Sequence, residues 1–122
     1  MSAWSIYIND GIHRKYIDFS IEKNEIVKLM GGKVTFVGKW QISDDMDYNI
    51  MKLLHPVGEI NKEVLPSPFD AEEIYGPILI VKMDENVEPA DMTLEDYDNL
   101  KKQFPVRRRS QRIKNKYNIY EP

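Results

Sequence analysis

Asp84, Asn86 and Glu88 alternate along the chain and Glu95 lies beyond them, at the first, third, fifth and twelfth places of a twelve-residue calcium loop. The chemistry they suggest is capture of a hard cation by oxygen ligands. The sixth place of such a loop needs positive φ, and here it is Pro89, whose ring holds φ at about −65°. A strand pattern rather than a helix also precedes Asp84, so the expectation is a polar turn leading into a helix. Asp44, Asp45 and Asp47 have the same ligand chemistry, and their plain reading is a solvated acidic turn. His13 and His55 have no carboxylate at a metal-binding or catalytic offset. Gly31-Gly32-Lys33 resembles a fragment of a phosphate loop, but no helical pattern follows to aim an N-terminus at an anion. Cysteine is absent, which excludes disulfides, zinc thiolates and thiol chemistry. No catalytic residue, metal site or cofactor is therefore expected, and the chain is read as non-enzymatic.

The elements follow from periodicity. Trp4, Ile6 and Ile8 alternate with polar positions, and Ile17, Phe19 and Ile21 alternate with Tyr16, Asp18 and Ser20. Period two with branched and aromatic residues marks half-buried strands. Asn9-Asp10-Gly11 between them tolerates positive φ and predicts a hairpin. A second hairpin is expected from IVKLM, turning at Gly31-Gly32 into KVTFVGKWQI. Residues 43–47 read as an acidic loop. Ile50, Leu53 and Leu54 at helical spacing predict a short helix ended by Pro56, and residues 56–69 an ordered loop with room for one edge strand. Ile78, Leu79, Ile80 and Val81, after Gly76-Pro77, predict a strand covered on both faces. Thr93 is the expected N-cap of a helix with Asp96 at its third position; Leu94, Tyr97, Leu100 and Phe104 form its apolar stripe and Pro105 stops it. The sum is α+β, a mainly antiparallel sheet with a C-terminal helix packed on it, in one domain of residues 1–104 followed by a basic tail of residues 105–122. Trp4, Trp40 and the tyrosines could stack nucleobases, but packing in the core is the expectation for them.

Charge divides the chain. Residues 1–104 carry eleven lysines and arginines against nineteen carboxylates, a balance of −8. Residues 105–122 carry six cations against Glu121, a balance of +5. The six are Arg107, Arg108, Arg109, Arg112, Lys114 and Lys116. Arginine pairs bidentately with carboxylate or phosphate, so the tail suits an acidic protein surface or nucleic acid. Val106, Ile113, Tyr117 and Tyr120 recur at helical spacing, while Tyr117 and Ile119 alternate as in an added strand; either pattern suits a segment that orders on a partner. The tail residues Arg107, Arg108, Arg109, Arg112, Lys114, Lys116 and Tyr117 are the expected partner-binding residues. Opposite poles also permit self-association, the arginines of one copy meeting the acidic residues 84–98 of another. No small-molecule substrate is expected. No apolar run approaches the ~20 residues that span a bilayer, and the opening MSAWSIYIND lacks the basic start of a secretory signal.

GPILIVKMDEN followed by DMTLEDY resembles a pattern in small uncharacterised proteins of large double-stranded DNA viruses of algae and protists. The resemblance covers residues 76–97. It implies a virus-encoded protein at work inside an infected cell, in cytoplasm or nucleus, or packaged in the virion. It implies no activity. The functional expectation is an interaction or structural protein, a minor virion component docking through its tail; the alternative is a nucleic-acid-binding accessory factor using the same tail.

Overall fold

Ile78–Met83, the most apolar stretch of the chain, forms the central strand of the sheet, and its first four residues are buried. The computed structural model describes residues 1–107. Among these described residues, six strands and two helices occur in the order β1 (Ser2–Ile8), β2 (Ile12–Asp18), α1 (Glu25–Met30), β3 (Val34–Ser43), β4 (Met46–Leu53), β5 (Ile78–Met83), β6 (Pro89–Ala90) and α2 (Leu94–Gln103). The sheet runs β2-β1-β5-β4-β3, with β6 paired to β5, and every pairing is antiparallel. The fold is thus α+β, a mainly antiparallel sheet with a helix near the C-terminus. Two compact units are present: Met1–Glu63 with Glu73–Tyr97, which holds the sheet, and Val64–Glu72 with the chain from Asp98.

The first hairpin forms as its turn residues require. Asp10 (φ 54°) and Gly11 (φ 122°) take the positive φ values that the Asn-Asp-Gly sequence allows. β2 ends earlier than its alternation suggested, at Asp18, whose carboxylate accepts the Ser20 N–H (2.9 Å). That hydrogen bond is the main reason its carboxyl stays below the ordinary value. Ile21 is consequently left 93% exposed, outside the strand.

The second hairpin is not formed where it was expected. Glu25–Met30 is a helix, closed by Gly31 at φ 87° with its N–H on Val27 O (2.8 Å). Ile26, Leu29 and Met30 have helical spacing, and they pack against a core of Ile17, Leu53, Leu79 and Val81. The glycine pair that could turn a hairpin instead ends a helix in the left-handed conformation. α1 leads from one edge strand, β2, to the other, β3, over one sheet face. β3 finds its partner in β4 through a tight turn at Asp44-Asp45, so the acidic loop shrinks to two residues. Residues 46–53 are accordingly a strand, not a short helix. Ile50 is buried on one face and Leu53 on the other, and a strand covered on both sides loses the alternation that would reveal it.

The opposite face carries a row in which Ile6 pairs with Ile80 and Ile80 with Ile50, all fully buried. α2 begins against this side of the sheet: Asp96 in its first turn pairs with Lys82 of β5 (3.5 Å). Tyr97 and Leu100 of its stripe are buried, while Leu94 is exposed. In residues 56–69, a single bridge of Ile60 to Tyr75 is the only edge pairing among the described residues.

Within the sheet, Ser5 Oγ is fully buried and has no hydrogen-bond partner among the described residues. An unmet hydroxyl away from water is unfavourable by roughly 1–3 kcal/mol. Ser5→Ala is therefore expected to stabilise the fold by about 1 kcal/mol, read as a higher urea midpoint with an unchanged denaturant slope.

Candidate interaction site

Three side-chain constellations stand out, and their geometry separates structural from available chemistry. The first is built on Asp96. Its N–H donates to Thr93 Oγ1 (3.0 Å) and its Oδ2 accepts the Thr93 N–H (2.8 Å), a reciprocal cap that satisfies two donors at the start of α2. The same Oδ2 lies 3.5 Å from Lys82 Nζ. Asp96 also accepts from the buried Tyr48 hydroxyl. Desolvation first, then the Asp96 charge and this hydrogen bond, push the Tyr48 phenol up to about 12. Each group is engaged with the others, so this cluster is a brace.

The second is a cleft of about 730 Å³ at the end of the sheet where β1 turns into β2. Asp10, Gly11, Gly58, Asn61, Lys62 and Gly76 are among its walls. Asn61 Nδ2 donates to Ile8 O (3.0 Å) and Gly76 O (2.9 Å), and its Oδ1 accepts from Glu63 N–H (3.0 Å). The best-placed polar group thus cross-links three segments of chain. Glu63 in turn accepts the Tyr97 hydroxyl (2.7 Å). Nothing in this cleft forms a nucleophile-and-base pair.

The third lies on the outer hairpin and joins Trp4, Arg14 and Tyr16. The Arg14 guanidinium sits 4.6 Å from the Trp4 ring centroid, and the Trp4 and Tyr16 rings are 5.3 Å apart, tilted by 55°. Arg14 Nε donates to Met92 O (3.0 Å). Trp4 itself is fixed through its backbone, N–H to Asp91 Oδ1 (3.0 Å) and C=O from Met92 N–H (2.9 Å). Trp4 remains 37% exposed and Tyr16 60%. A held guanidinium over one partly exposed aromatic ring, which packs in turn on a second, has the composition of an interface anchor. Sequence reasoning missed this cluster by assigning the aromatics together to the core. Trp40, Tyr48 and Tyr97 are buried, but Trp4 and Tyr16 are not. The missing signal was available: a three-residue loop between Ile8 and Ile12 fixes the register that sets Tyr16 opposite Trp4.

Of the expected tail residues, only Arg107 is described. Its N–H donates to Oδ2 of the buried Asp70 (2.7 Å), and the Ser67 N–H donates to Phe104 O (3.0 Å). The chain is therefore bonded into the fold beyond Pro105, as far as Arg107. Arg108, Arg109, Arg112, Lys114, Lys116 and Tyr117 lie outside the described residues. In the calcium-like stretch, Asp84 Oδ1 accepts the N–H groups of Asn86 (2.9 Å) and Glu88 (3.1 Å), which closes the turn with Val87 at φ 58°. No three His, Asp or Glu residues converge as a metal site among the described residues. No described helix is long and apolar enough to cross a membrane.

The Tyr48 brace gives a pH dependence with a definite sign. Above pH 10 an unfolded chain ionises this tyrosine at its ordinary value, whereas the native chain holds the proton to about pH 12. The native state then binds more protons, so stability falls as pH rises through that window. Urea midpoints measured across it are expected to decline, and Tyr48→Phe to flatten the decline.

No curated protein and no solved structure matches the chain. Residues 5–100 match a family of unknown function (DUF5880), which takes in the sheet from Ser5 onward and most of α2. On that match the chain belongs to this family.

Proposed function

We propose that this is a non-enzymatic interaction protein, docking through its basic C-terminal segment on an acidic surface of a protein partner. The observation that carries this reading is the bond from Arg107 N–H to the buried Asp70 carboxylate. It holds the chain at Arg107, the first of the six cations of residues 105–122. A fixed departure point lowers the ordering entropy that a docking segment must overcome. The rest of the chain is acidic, so the segment meets complementary charge on a like copy as readily as on another protein, and head-to-tail association belongs to the same proposal. So does the setting: a virus-encoded protein, a minor virion component, acting inside the infected cell.

The engaged states of Asn61, Glu63, Asp84 and Asp96 favour this reading over catalysis. These are the polar side chains best placed for chemistry, and each is committed to a turn, a cap or a cross-link.

The test compares the full chain with one ending at Arg107, which keeps the Asp70 bond. Binding to labelled poly-L-glutamate and to a single-stranded oligonucleotide of equal charge is followed by anisotropy as salt is raised. The full chain is expected to bind poly-L-glutamate at least as tightly as the oligonucleotide, and the shortened chain to lose both. A preference for the oligonucleotide of about tenfold or more, steeply weakened by salt, would establish the nucleic-acid alternative instead. Unaltered binding by the shortened chain would remove the segment from the account.

A further inference from the structure

The sheet has two outer strands, β2 and β3, and they are built differently. β3 breaks register with β4 twice, between Phe36 and Gly38 and between Gln41 and Ser43. Such bulges are a common way of spoiling an edge against further pairing. β2 pairs with β1 through seven consecutive residues, without a break. Its outer side is a regular template.

The backbone groups on that side can be assigned. Phe19 N–H donates to Met1 O, toward β1, and Asp18 N–H donates outward to Glu25 Oε1 (2.8 Å). Antiparallel strands alternate inward and outward residues, so Ile12, Arg14 and Tyr16 share the outward side with Asp18. Only Asp18 has a partner there among the described residues. The unpaired groups therefore belong to the same residues whose side chains join Trp4 in the exposed cluster.

The side chains set the chemistry of a partner. His13, Arg14 and Lys15 are consecutive, in a body whose balance is −8 over residues 1–104. Arg14 faces the Trp4 side of the hairpin. Lys15 faces the other side, where its Nζ lies 6.0 Å from the Tyr7 ring. Cations on an edge ordinarily repel neutral or basic strands. Carboxylates at two successive positions of an incoming strand would lie on the Arg14 face and on the Lys15 face in turn, where the Arg14 guanidinium keeps its Nε bond to Met92 O, and an aromatic residue beside them would lie against Tyr16. The same charges that exclude most strands thus select an acidic one.

We propose that β2 is a docking edge for an extended acidic segment of a partner protein, which adds to the sheet as an antiparallel strand. Its recognition pattern is an aromatic residue opposite Tyr16 followed by carboxylates opposite Lys15 and Arg14. Hydrogen bonds to Arg14 and Tyr16 supply the register, and the two cations supply selectivity. Neither reading depends on the other.

The probe is a fluorescein-labelled peptide, Thr-Phe-Glu-Glu-Thr-Val, titrated into the full chain, with Thr-Phe-Lys-Lys-Thr-Val as its control. The acidic peptide is expected to bind and the basic one not. Lys15→Glu should weaken binding about tenfold, the effect of a change near 1.4 kcal/mol. Tyr16→Pro removes one outward N–H, a change that an edge strand tolerates, and should abolish binding with the melting temperature nearly kept. Because that variant retains the whole C-terminal segment, the loss would be assigned to the edge. In the unaltered chain, the amides of Arg14 and Tyr16 should exchange more slowly with peptide bound. The proposal is overturned if both peptides bind alike, if those amides gain no protection, or if folded Tyr16→Pro binds normally. An oligonucleotide that displaces the peptide, or a dimer that Tyr16→Pro dissolves, would likewise assign the edge to a different occupant. Should Tyr16→Pro fail to fold, Lys15→Glu and the exchange measurement decide the matter.

Discussion

β5 must be kept dry on both faces, and the arrangement of the chain follows from that constraint. Ile78, Leu79, Ile80 and Val81 are buried in succession, so neither face of the central strand can be left to water. Burying a branched aliphatic side chain contributes about 1.5–3 kcal/mol. One face is covered by α1, which carries the chain from one edge of the sheet to the other. The second is covered where residues 89–97 return along β5 and β1: β6 pairs with Lys82 and Met83, Met92 bonds to Trp4, and Asp96 meets Lys82. The same return holds Arg14 in place through Met92 O, so the exposed cluster on β1 and β2 is a by-product of covering β5.

Polar groups near this core are used economically. Asp96 caps a helix, pairs with a lysine and receives a phenol, while Asn61 joins three segments through one amide. Asp70 receives the last described backbone N–H of the chain. Carboxylates are plentiful in the sequence, yet those that the fold surrounds are there to accept hydrogen bonds from backbone and side chains. That use leaves each of these groups committed within the native fold.

The two surfaces proposed for recognition differ in kind. The segment from Arg107 offers dense charge from a fixed starting point. The β2 edge offers a directional row of backbone groups with modest charge. The first favours rapid, salt-sensitive encounter, the second register and selectivity.

Sequence alone determined the features whose causes are neighbours along the chain. Asn9-Asp10-Gly11 specifies its turn through residues that accept positive φ, Ile78–Val81 declares a doubly covered strand by its unbroken apolar run, and Thr93 with Asp96 forms a cap three residues long. The division of charge was equally legible, since it is a matter of counting. Tertiary structure decided what depends on distant partners. Residues 25–30 could have turned a hairpin at Gly31-Gly32, and became a helix because Ile26, Leu29 and Met30 had a core to meet. Residues 46–53 looked helical until β3 and β5 supplied neighbours on either side. Trp4 and Trp40 are the same residue type in alternating strands, yet one is exposed and the other buried, because only position within the sheet distinguishes them. Asp70 and Arg107 are 37 residues apart, and no local pattern announces their bond. Hydrophobic burial and long-range hydrogen bonds act between residues brought together by folding, so their choice of partner is written in the structure.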